Sequence, residues 1–279
     1  MFRMMALAGF LAASPFGNVG AAPPQRIVSI NICGDLLALS LAPRARIASV
    51  TFLAADPVIS PIAKMADGVA LNYGKAEEVL AFQPDLVLAG RYTTRATVAL
   101  LERLGYPVLE LDIAETLDDV RSQIRAVAAA MGVGEAGENM IADLDARIAA
   151  AIAERGEDRP LAAAYGPNGF TPGPRTLSGS LIELAGFENL AARTGILYWG
   201  NLSLEQLLLA RPDVLIVETR GGSDRAHALA SQVLAHPALM RLRERITVAE
   251  VPRPLWSCPG PWIIDALDHL TAARAAAGS

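Results

Sequence analysis

The stretch of sequence that decides the fold occurs twice, as EEVLAFQPDLVLA over residues 77–89 and as EQLLLARPDVLIV over residues 205–217. The copies align without a gap and share a leading Glu, a Leu and a Pro-Asp pair. The residue before each proline is forced out of the α conformation, so the pattern predicts a short helix that must end there. The apolar runs after Pro-Asp lack polar alternation, which is typical of strands covered on both faces of a parallel sheet.

The duplicated unit predicts two similar halves. Strand and helix patterns alternate on both sides of one long helical pattern, and such alternation indicates parallel sheets covered by helices. We therefore predict an α/β fold with two Rossmann-like lobes, each built on a parallel-rich sheet, joined by a single long connecting helix, with a ligand cleft between the lobes. The predicted boundaries are 22–133 for the N-terminal lobe, 134–156 for the connecting helix and 157–279 for the C-terminal lobe.

Glycine and proline mark the predicted loops. One loop is predicted from Asp56 to Gly74, and a Gly/Pro-rich loop is predicted over 166–173. The helices predicted in the second lobe include one near 181–185 and one over 226–234. A last helix is predicted to begin at Pro261, because proline is favoured in a first helical turn.

The first 21 residues have a different character. Arg3 precedes an apolar stretch from Met4 to Ala13, and Val19-Gly20-Ala21 offers the small residues that a signal peptidase reads. About ten apolar residues are too few to span a bilayer, which needs roughly 20. We predict that residues 1–21 are a signal peptide and that the mature protein is periplasmic.

The composition indicates a globular chain and argues against several functions. Hydrophobic residues make up 52% of the 279 residues, enough for two cores. The formal net charge of −5, without a run of Lys or Arg, argues against binding to nucleic acid. The sequence also lacks a phosphate-binding Gly-Lys-Ser/Thr loop, a Gly-x-Gly-x-x-Gly turn and a Gly-x-Ser-x-Gly elbow, so we predict that it is not an enzyme.

Taken together, the motifs resemble a known family. The chain has a signal peptide, an opening strand at 26–30, two Glu-x6-Pro-Asp units, a single connecting helix and a closing Trp-x-x-Pro-Gly-Pro segment at 256–261. This order resembles the substrate-binding proteins of ABC importers for ferric siderophores and vitamin B12. The resemblance implies a monomer that holds a small-molecule metal chelate in a shallow cleft and delivers it to an ABC permease dimer in the inner membrane.

The resemblance also assigns two docking residues. In this family one glutamate per lobe, seven residues before the proline of Pro-Asp, contacts the permease, which implies Glu77 and Glu205 here. Arg–carboxylate pairing is strong and geometrically selective, which suits such a contact. Both residues also fit a purely structural role as first-turn acids favoured by the helix dipole. Glu78 competes with Glu77, but its counterpart in the second copy is Gln206.

The ligand site is predicted on loops that follow strands, because open α/β sheets bind ligands at the carboxyl ends of their strands. The residues predicted to bind the ligand are Asn31, Cys33, Tyr73, Arg91, Tyr92, Tyr165, Phe170, Trp199, Arg220 and Trp256. Aromatic faces with a few arginines suit a large, partly flat and partly anionic ligand, such as a cobalt corrinoid or a ferric chelate. Each aromatic residue taken singly fits core packing equally well.

Two cysteines leave three interpretations open. Cys33 and Cys258 each precede a predicted helix, one in each lobe, and in an oxidising compartment they can form a disulfide that staples the lobes. Alternatively, helix N-termini lower the pKa of both thiols and the pair contacts a soft metal in the ligand. Two unrelated buried cysteines are the third interpretation. The family does not generally place cysteines at these positions.

Two other functions remain as alternatives, a carrier of a free transition metal ion and a secreted α/β enzyme. A free-metal carrier needs a cage of histidines and carboxylates, whereas the chain has three scattered histidines, His227, His236 and His269. We therefore predict no protein-bound metal site and no cofactor apart from the metal chelate carried as cargo.

Overall fold

The computed structural model of the chain describes residues 22–219, 237 and 246–277. The predicted signal peptide at 1–21, the predicted helix over 226–234 and Arg220 lie outside those residues. Across the described ranges, no helix has both the length and the apolar character that crossing a bilayer requires.

The first lobe is a parallel sheet with helices packed on it. Its elements are β1 (Ile27–Ser29), α1 (Ile32–Leu41), β2 (Ile47–Thr51), β3 (Ala70–Asn72), α2 (Ala76–Ala81), β4 (Leu86–Gly90), α3 (Arg95–Arg103), β5 (Val108–Leu111) and α4 (Leu117–Ala130). The strand order is β3-β2-β1-β4-β5, and every neighbouring pair runs parallel. Because the order reverses between β1 and β4, a crevice opens at the carboxyl ends of these strands.

The second lobe repeats this plan after helix α5 (Gly134–Glu154). Its elements are β6 (Leu161–Ala164), β7 (Phe170–Pro172), α6 (Leu177–Leu184), β8 (Glu188–Asn189), α7 (Leu190–Arg193), β9 (Trp199–Asn201), α8 (Leu204–Ala210), β10 (Val214–Thr219), β11 (Thr247–Pro252) and α9 (Ile263–Ala277). Strands β11-β10-β6-β8 form a parallel sheet, and β7 pairs with β9 in a separate antiparallel ribbon. Short 3₁₀ turns occupy Arg44–Arg46, Phe52–Ala55, Ala63–Ala66, Pro167–Gly169 and Arg253–Leu255.

The duplicated units form equivalent helix-to-strand connections, α2 to β4 and α8 to β10. Each helix ends before its proline, as the sequence predicts. The residue that precedes the proline is Gln83 (φ 47°) in the first copy and Arg211 (φ 48°) in the second. Both therefore adopt the left-handed conformation, which avoids the clash that proline imposes on a right-handed helical residue.

Two predicted loops contain short strands. Residues 70–72 form the edge strand β3, which pairs with β2, and residues 170–172 form β7, which pairs with β9. Pairing with a strand distant in sequence, rather than a local pattern, defines both elements. Helix α6 also begins earlier than predicted, at Leu177, because the Thr176 hydroxyl caps it by accepting a hydrogen bond from the N–H of Gly179 at 3.0 Å. The last helix begins at Ile263, two residues after the predicted Pro261.

Helix α5 joins the two lobes through one continuous apolar core. Its buried side chains Ile141, Leu144 and Ile148 belong to the same packed cluster as Leu88 of the first lobe and Leu267 of the second. Burial of this kind stabilises a fold by about 25 cal/mol for each Å² of apolar surface removed from water. The lobes are therefore packed onto a shared helix rather than tethered by a loose linker.

Ion pairs hold α5 against its neighbours on both sides. Asp145 of α5 pairs with Arg121 of α4 at 2.7 Å, and Arg147 pairs with Asp265 and Asp268 of α9 at 3.0 and 2.8 Å. These pairs are partly exposed, so each contributes about 0.2–1 kcal/mol.

Candidate functional site

A cavity of about 290 Å³ lies between the two lobes. It opens at the carboxyl ends of β1, β4 and β5, where open α/β sheets bind ligands. The first lobe contributes Asn31, Cys33, residues 90–93 and residues 111–115. The second lobe contributes residues 175–178, Trp199, Trp256, Ser257 and Pro259.

The cavity brings together some of the predicted ligand-binding residues and leaves others outside. Its walls include Asn31, Cys33, Arg91, Tyr92, Trp199 and Trp256. Tyr73 instead stacks on Phe52, with ring centroids 4.8 Å apart, and Tyr165 packs against the apolar cluster beneath β10. Phe170 does not line the cavity but stacks on Trp199, which does, and Arg220 lies outside the described residues.

Asn31 builds the first-lobe wall by capping α1. Its side-chain oxygen accepts hydrogen bonds from the N–H groups of Cys33 (3.0 Å) and Gly34 (3.3 Å), while its amide donates to the Thr93 hydroxyl at 3.3 Å. The Asn31 amide packs so closely on Gly90 that a Cβ added at Gly90 would lie 2.5 Å from it. The helix cap thus joins the loops after β1 and β4 into one rigid surface.

An ion pair lies on the same first-lobe wall of the cavity. The Arg91 guanidinium donates to the Asp112 carboxylate, and the other carboxylate oxygen accepts from the N–H of Ile113 at 2.9 Å. Glu115 adds a second carboxylate to this side of the cavity. The single arginine of the first-lobe wall is therefore already neutralised by its own lobe.

The second-lobe wall carries an aromatic platform on the β7–β9 ribbon. Phe170 and Trp199 stack with their ring planes 5° apart and their centroids 5.1 Å apart. Trp199 nevertheless remains 51% exposed, and Tyr92 on the opposite wall is 64% exposed. Two large aromatic faces thus stand exposed on opposite sides of the cleft, an arrangement that favours a planar or partly planar ligand.

Sequence reasoning missed Arg175 and Ser178, which also line the cavity. Arg175 lies over the ring of Tyr198 at 5.9 Å from the ring centroid. The signal that could have found them is the Pro-Arg-Thr run at 174–176, where Thr176 is a helix cap and the next residues begin a helix directed at the cleft.

The structure links Cys33 to Cys258 by a disulfide, with the Cα atoms 5.2 Å apart. The bond crosses from the first lobe to the second at the edge of the cavity. Beside it, the indole N–H of Trp262 donates to the carbonyl of Cys258 at 2.6 Å. The indole N–H of Trp256, which is also buried, has no acceptor among the described residues.

Glu77 and Glu205 lie in the first turns of α2 and α8 with exposed side chains. Each of these helices leads into a parallel strand, so its first turn lies at the carboxyl edge of its sheet, the edge that also bounds the cavity. The N–H of Glu205 and the Ser203 hydroxyl lower the pKa of the Glu205 carboxyl, which keeps it ionised. Glu78 differs from Glu77 because its carboxylate accepts a hydrogen bond from the N–H of Tyr73 at 2.6 Å.

Within the described ranges, no group of three or more His, Cys, Asp or Glu side chains is arranged to hold a metal ion. His227 and His236 lie outside those ranges.

Comparison with known proteins gives the family. The model of the family described as periplasmic binding protein matches residues 52–243. A cobalamin-binding protein from Halobacterium salinarum is 27% identical over 222 residues, which cover 78% of this chain and 60% of that protein. A vitamin B12-binding protein from Pectobacterium carotovorum is 29% identical over 208 residues, which cover 72% of each chain.

A solved structure shares the architecture over nearly the whole chain. The apo form of the periplasmic heme-binding protein RhuT from Roseiflexus sp. RS-1 superposes with a TM-score of 0.75 and 27% identity, covering 91% of this chain and 99% of that one. Because the family match spans more than half of the sequence and the two-lobed fold agrees with it, this chain belongs to the family of periplasmic binding proteins.

Proposed function

We propose that this protein is the periplasmic substrate-binding component of an ABC importer. It captures a metal chelate, either a cobalt corrinoid or a ferric chelate, and delivers it to a membrane permease. The observation that carries this proposal is a cavity whose walls come from both lobes and combine exposed aromatic faces with arginines. Relatives named for cobalamin, vitamin B12 and heme support this class of cargo.

The cleft suits a ligand larger than the cavity itself. A space of about 290 Å³ encloses one edge of a macrocycle or ferric chelate. Tyr92 and Trp199 extend the contact surface at the rim, because a bound chelate covers aromatic area that the free protein exposes to water. Such a ligand contacts both lobes at once, so its binding fixes their relative position.

Delivery is assigned to Glu77 and Glu205, one exposed carboxylate on each lobe. A monomer with one acid per lobe matches a permease dimer that presents an arginine from each half. In this proposal the protein performs no catalysis and holds no cofactor of its own. The metal arrives and leaves inside the chelate.

Isothermal titration calorimetry of the purified protein tests the binding function. Cyanocobalamin, hemin and a ferric trihydroxamate are titrated in turn, with zinc and manganese chlorides as the free-metal comparison. We expect one of the chelates to bind with micromolar or tighter affinity and one-to-one stoichiometry. The proposed function would be contradicted if only a bare metal ion bound, or if none of the compounds bound.

A matched pair of variants locates the binding in the cleft. Tyr92 and Tyr73 are exposed to the same degree, 64% and 66%, but only Tyr92 lines the cavity. We expect Tyr92→Ala to weaken chelate binding by about tenfold, since loss of one aromatic stacking contact costs roughly 1 kcal/mol or more. Tyr73→Ala is expected to have the smaller effect.

A further inference from the structure

The second-lobe wall of the cleft presents hydrogen-bond donors that lack acceptors. Helix α6 begins at Leu177, and the first backbone N–H groups of a helix have no partner within the helix. The N–H of Gly179 is satisfied by the Thr176 hydroxyl at 3.0 Å. The N–H groups of Leu177 and Ser178 have no acceptor in the described part of the chain, and both residues line the cavity.

The side chain of Ser178 adds a third donor at the same place. Ser178 is only 6% exposed, yet its hydroxyl has no hydrogen-bond partner among residues 22–219, 237 and 246–277. Because Ser178 lines the cavity and its hydroxyl bonds to no described protein group, this hydroxyl is free to donate to a ligand.

Arg175 places a full positive charge beside these donors. Its guanidinium lies 5.9 Å from the centroid of the Tyr198 ring and forms no ion pair within the described ranges. Arg91 on the opposite wall differs, because Asp112 neutralises it. Of the two arginines that line the cavity among residues 22–219, 237 and 246–277, only Arg175 is available to a ligand anion.

The donors are held in place by close packing rather than by a flexible loop. The N–H of Arg175 donates to the carbonyl of Leu197 at 2.8 Å, and the Thr176 hydroxyl donates to the carbonyl of Gly173 at 2.8 Å. A Cβ added at Gly179 would lie 1.9 Å from the Gly173 oxygen, so the turn packs directly on the helix. Donors fixed in this way need little reorganisation when an anion binds.

We propose that Arg175, the Ser178 hydroxyl and the free N–H groups of Leu177 and Ser178 form a subsite for an oxyanion substituent of the chelate, a phosphate or a carboxylate. This inference rests on the proposed function. The partial positive charge of the helix N-terminus and the Arg175 guanidinium both favour an anion. On the first-lobe wall Arg91 and Asp112 neutralise each other and Glu115 adds a negative charge that disfavours an anion, so the cleft orients the chelate with its acidic group toward the second lobe.

Paired ligands that differ in the anionic group test the subsite. Cyanocobalamin carries a phosphodiester that dicyanocobinamide lacks, and hemin carries two carboxylates that its dimethyl ester lacks. Calorimetry gives the dissociation constants of both members of each pair for the wild type, Arg175→Gln, Arg175→Lys, Ser178→Ala and Arg103→Gln. Arg103 lies on the exposed face of α3, outside the cavity, and serves as the matched arginine control.

We expect the wild type to prefer the anionic member of the pair on whichever scaffold it binds. Arg175→Gln should weaken binding of that member by about tenfold, and Ser178→Ala by about threefold, while the member without the anionic group changes less. Arg175→Lys should keep part of the preference, and Arg103→Gln all of it. The ratio of two dissociation constants measured on one sample does not depend on the folded fraction. The ligand preference of a poorly folding variant can therefore still be measured.

The results distinguish failure of the oxyanion subsite from failure of the proposed function. Discrimination between the corrinoids that Arg175→Gln reduces assigns the subsite to phosphate, and discrimination between the hemins that Arg175→Gln reduces assigns it to carboxylate. Equal affinity within each pair, equal losses for both members in Arg175→Gln, or binding confined to an uncharged ferric trihydroxamate would overturn the subsite and leave the proposed function standing. Failure of the wild type to bind any chelate would overturn the proposed function, and the subsite with it.

Discussion

The carboxylates of Asp85 and Asp213 occupy equivalent positions in the two sheets. Asp85 accepts hydrogen bonds from the N–H groups of Gln25 (2.6 Å) and Arg26 (2.7 Å) at the start of β1, and Asp213 accepts from the N–H of Leu161 (2.7 Å) at the start of β6. In each lobe the backbone N–H of the aspartate also donates to the strand that it caps. The Pro-Asp pair of the repeat is therefore a strand clamp as well as a turn.

Removing either clamp should destabilise the protein modestly. Asp85→Ala and Asp213→Ala each remove a charged acceptor from backbone N–H groups at the start of a strand, which should lower the free energy of unfolding by about 1 kcal/mol. Asp143→Ala is the control, since Asp143 is an exposed acid on α5. Urea denaturation measures all three. Equal stability of the Asp85 variant and the control would show that the clamp contributes nothing.

The disulfide should contribute more to stability than any surface contact. Linking Cys33 to Cys258 closes a loop with a sequence separation of 225, which restricts the unfolded chain. Replacing both cysteines by serine should lower the free energy of unfolding by about 3–5 kcal/mol. Reductant should reproduce this loss in the wild type and leave the double variant unaffected.

Mass spectrometry checks the bond itself. The intact exported protein should gain the mass of two hydrogen atoms on reduction. After proteolytic digestion, a pair of peptides joined through Cys33 and Cys258 should appear only without reductant. Free thiols in the exported protein would contradict the covalent link between the lobes.

Buried Asp35 should make stability depend on pH. Asp35 lies in the first turn of α1 and is fully buried, and its side chain accepts hydrogen bonds from the Thr51 N–H (3.1 Å) and the Thr51 hydroxyl. Burial raises the pKa of Asp35 from 3.8 to about 7, although bonds from Thr51 and Ser29 offset part of that rise. Between these two values the folded protein retains a proton that the unfolded chain releases, so stability should fall as pH rises through this range.

Asp35→Asn isolates this effect because asparagine keeps the size and cannot ionise. Between pH 3.8 and about pH 7 the wild type should lose unfolding free energy relative to the variant. The loss should total on the order of a few kcal/mol and should stop above that range. Urea titrations across this range measure it. A difference that does not change with pH would mean that Asp35 is ionised in the folded state.

The docking assignment predicts a separation of transport from binding. Glu77→Ala with Glu205→Ala should reduce uptake of the chelate in cells to background, because each lobe loses its carboxylate for the permease. Affinity for the chelate in solution should stay at the wild-type value, since neither residue lines the cavity.

The matched control for docking is Glu102→Ala with Glu157→Ala, one exposed acid from each lobe. This pair should transport normally. Loss of chelate affinity in the Glu77 and Glu205 double variant, or undiminished uptake by it, would contradict the docking role.

The repeat made much of the fold predictable, because the steric effect of proline and the continuous apolar runs are local properties. The cap of α4 is equally local, since Thr116 and Asp119 form a capping box within four residues. Strand β7 was not readable, because it exists only through pairing with β9.

Part of the candidate site was predictable for a related reason. Loops after strands gave Asn31, Arg91 and Tyr92, whose place follows from the order of elements. Arg175 and Ser178 were missed because they precede or begin a helix whose direction toward the cleft is a property of the tertiary structure. Tyr73 follows a strand, as a cleft residue should, but β3 lies at the edge of its sheet, away from the crevice between β1 and β4.

The most direct test of cargo capture between the lobes is the position of the metal in a crystal of the complex. Crystals grown with the chelate that binds most tightly in calorimetry, measured at the cobalt or iron absorption edge, should show one anomalous peak within the cleft, between Tyr92 and Trp199. A peak elsewhere on the protein, or coordinated by protein side chains without the chelate, would contradict the account.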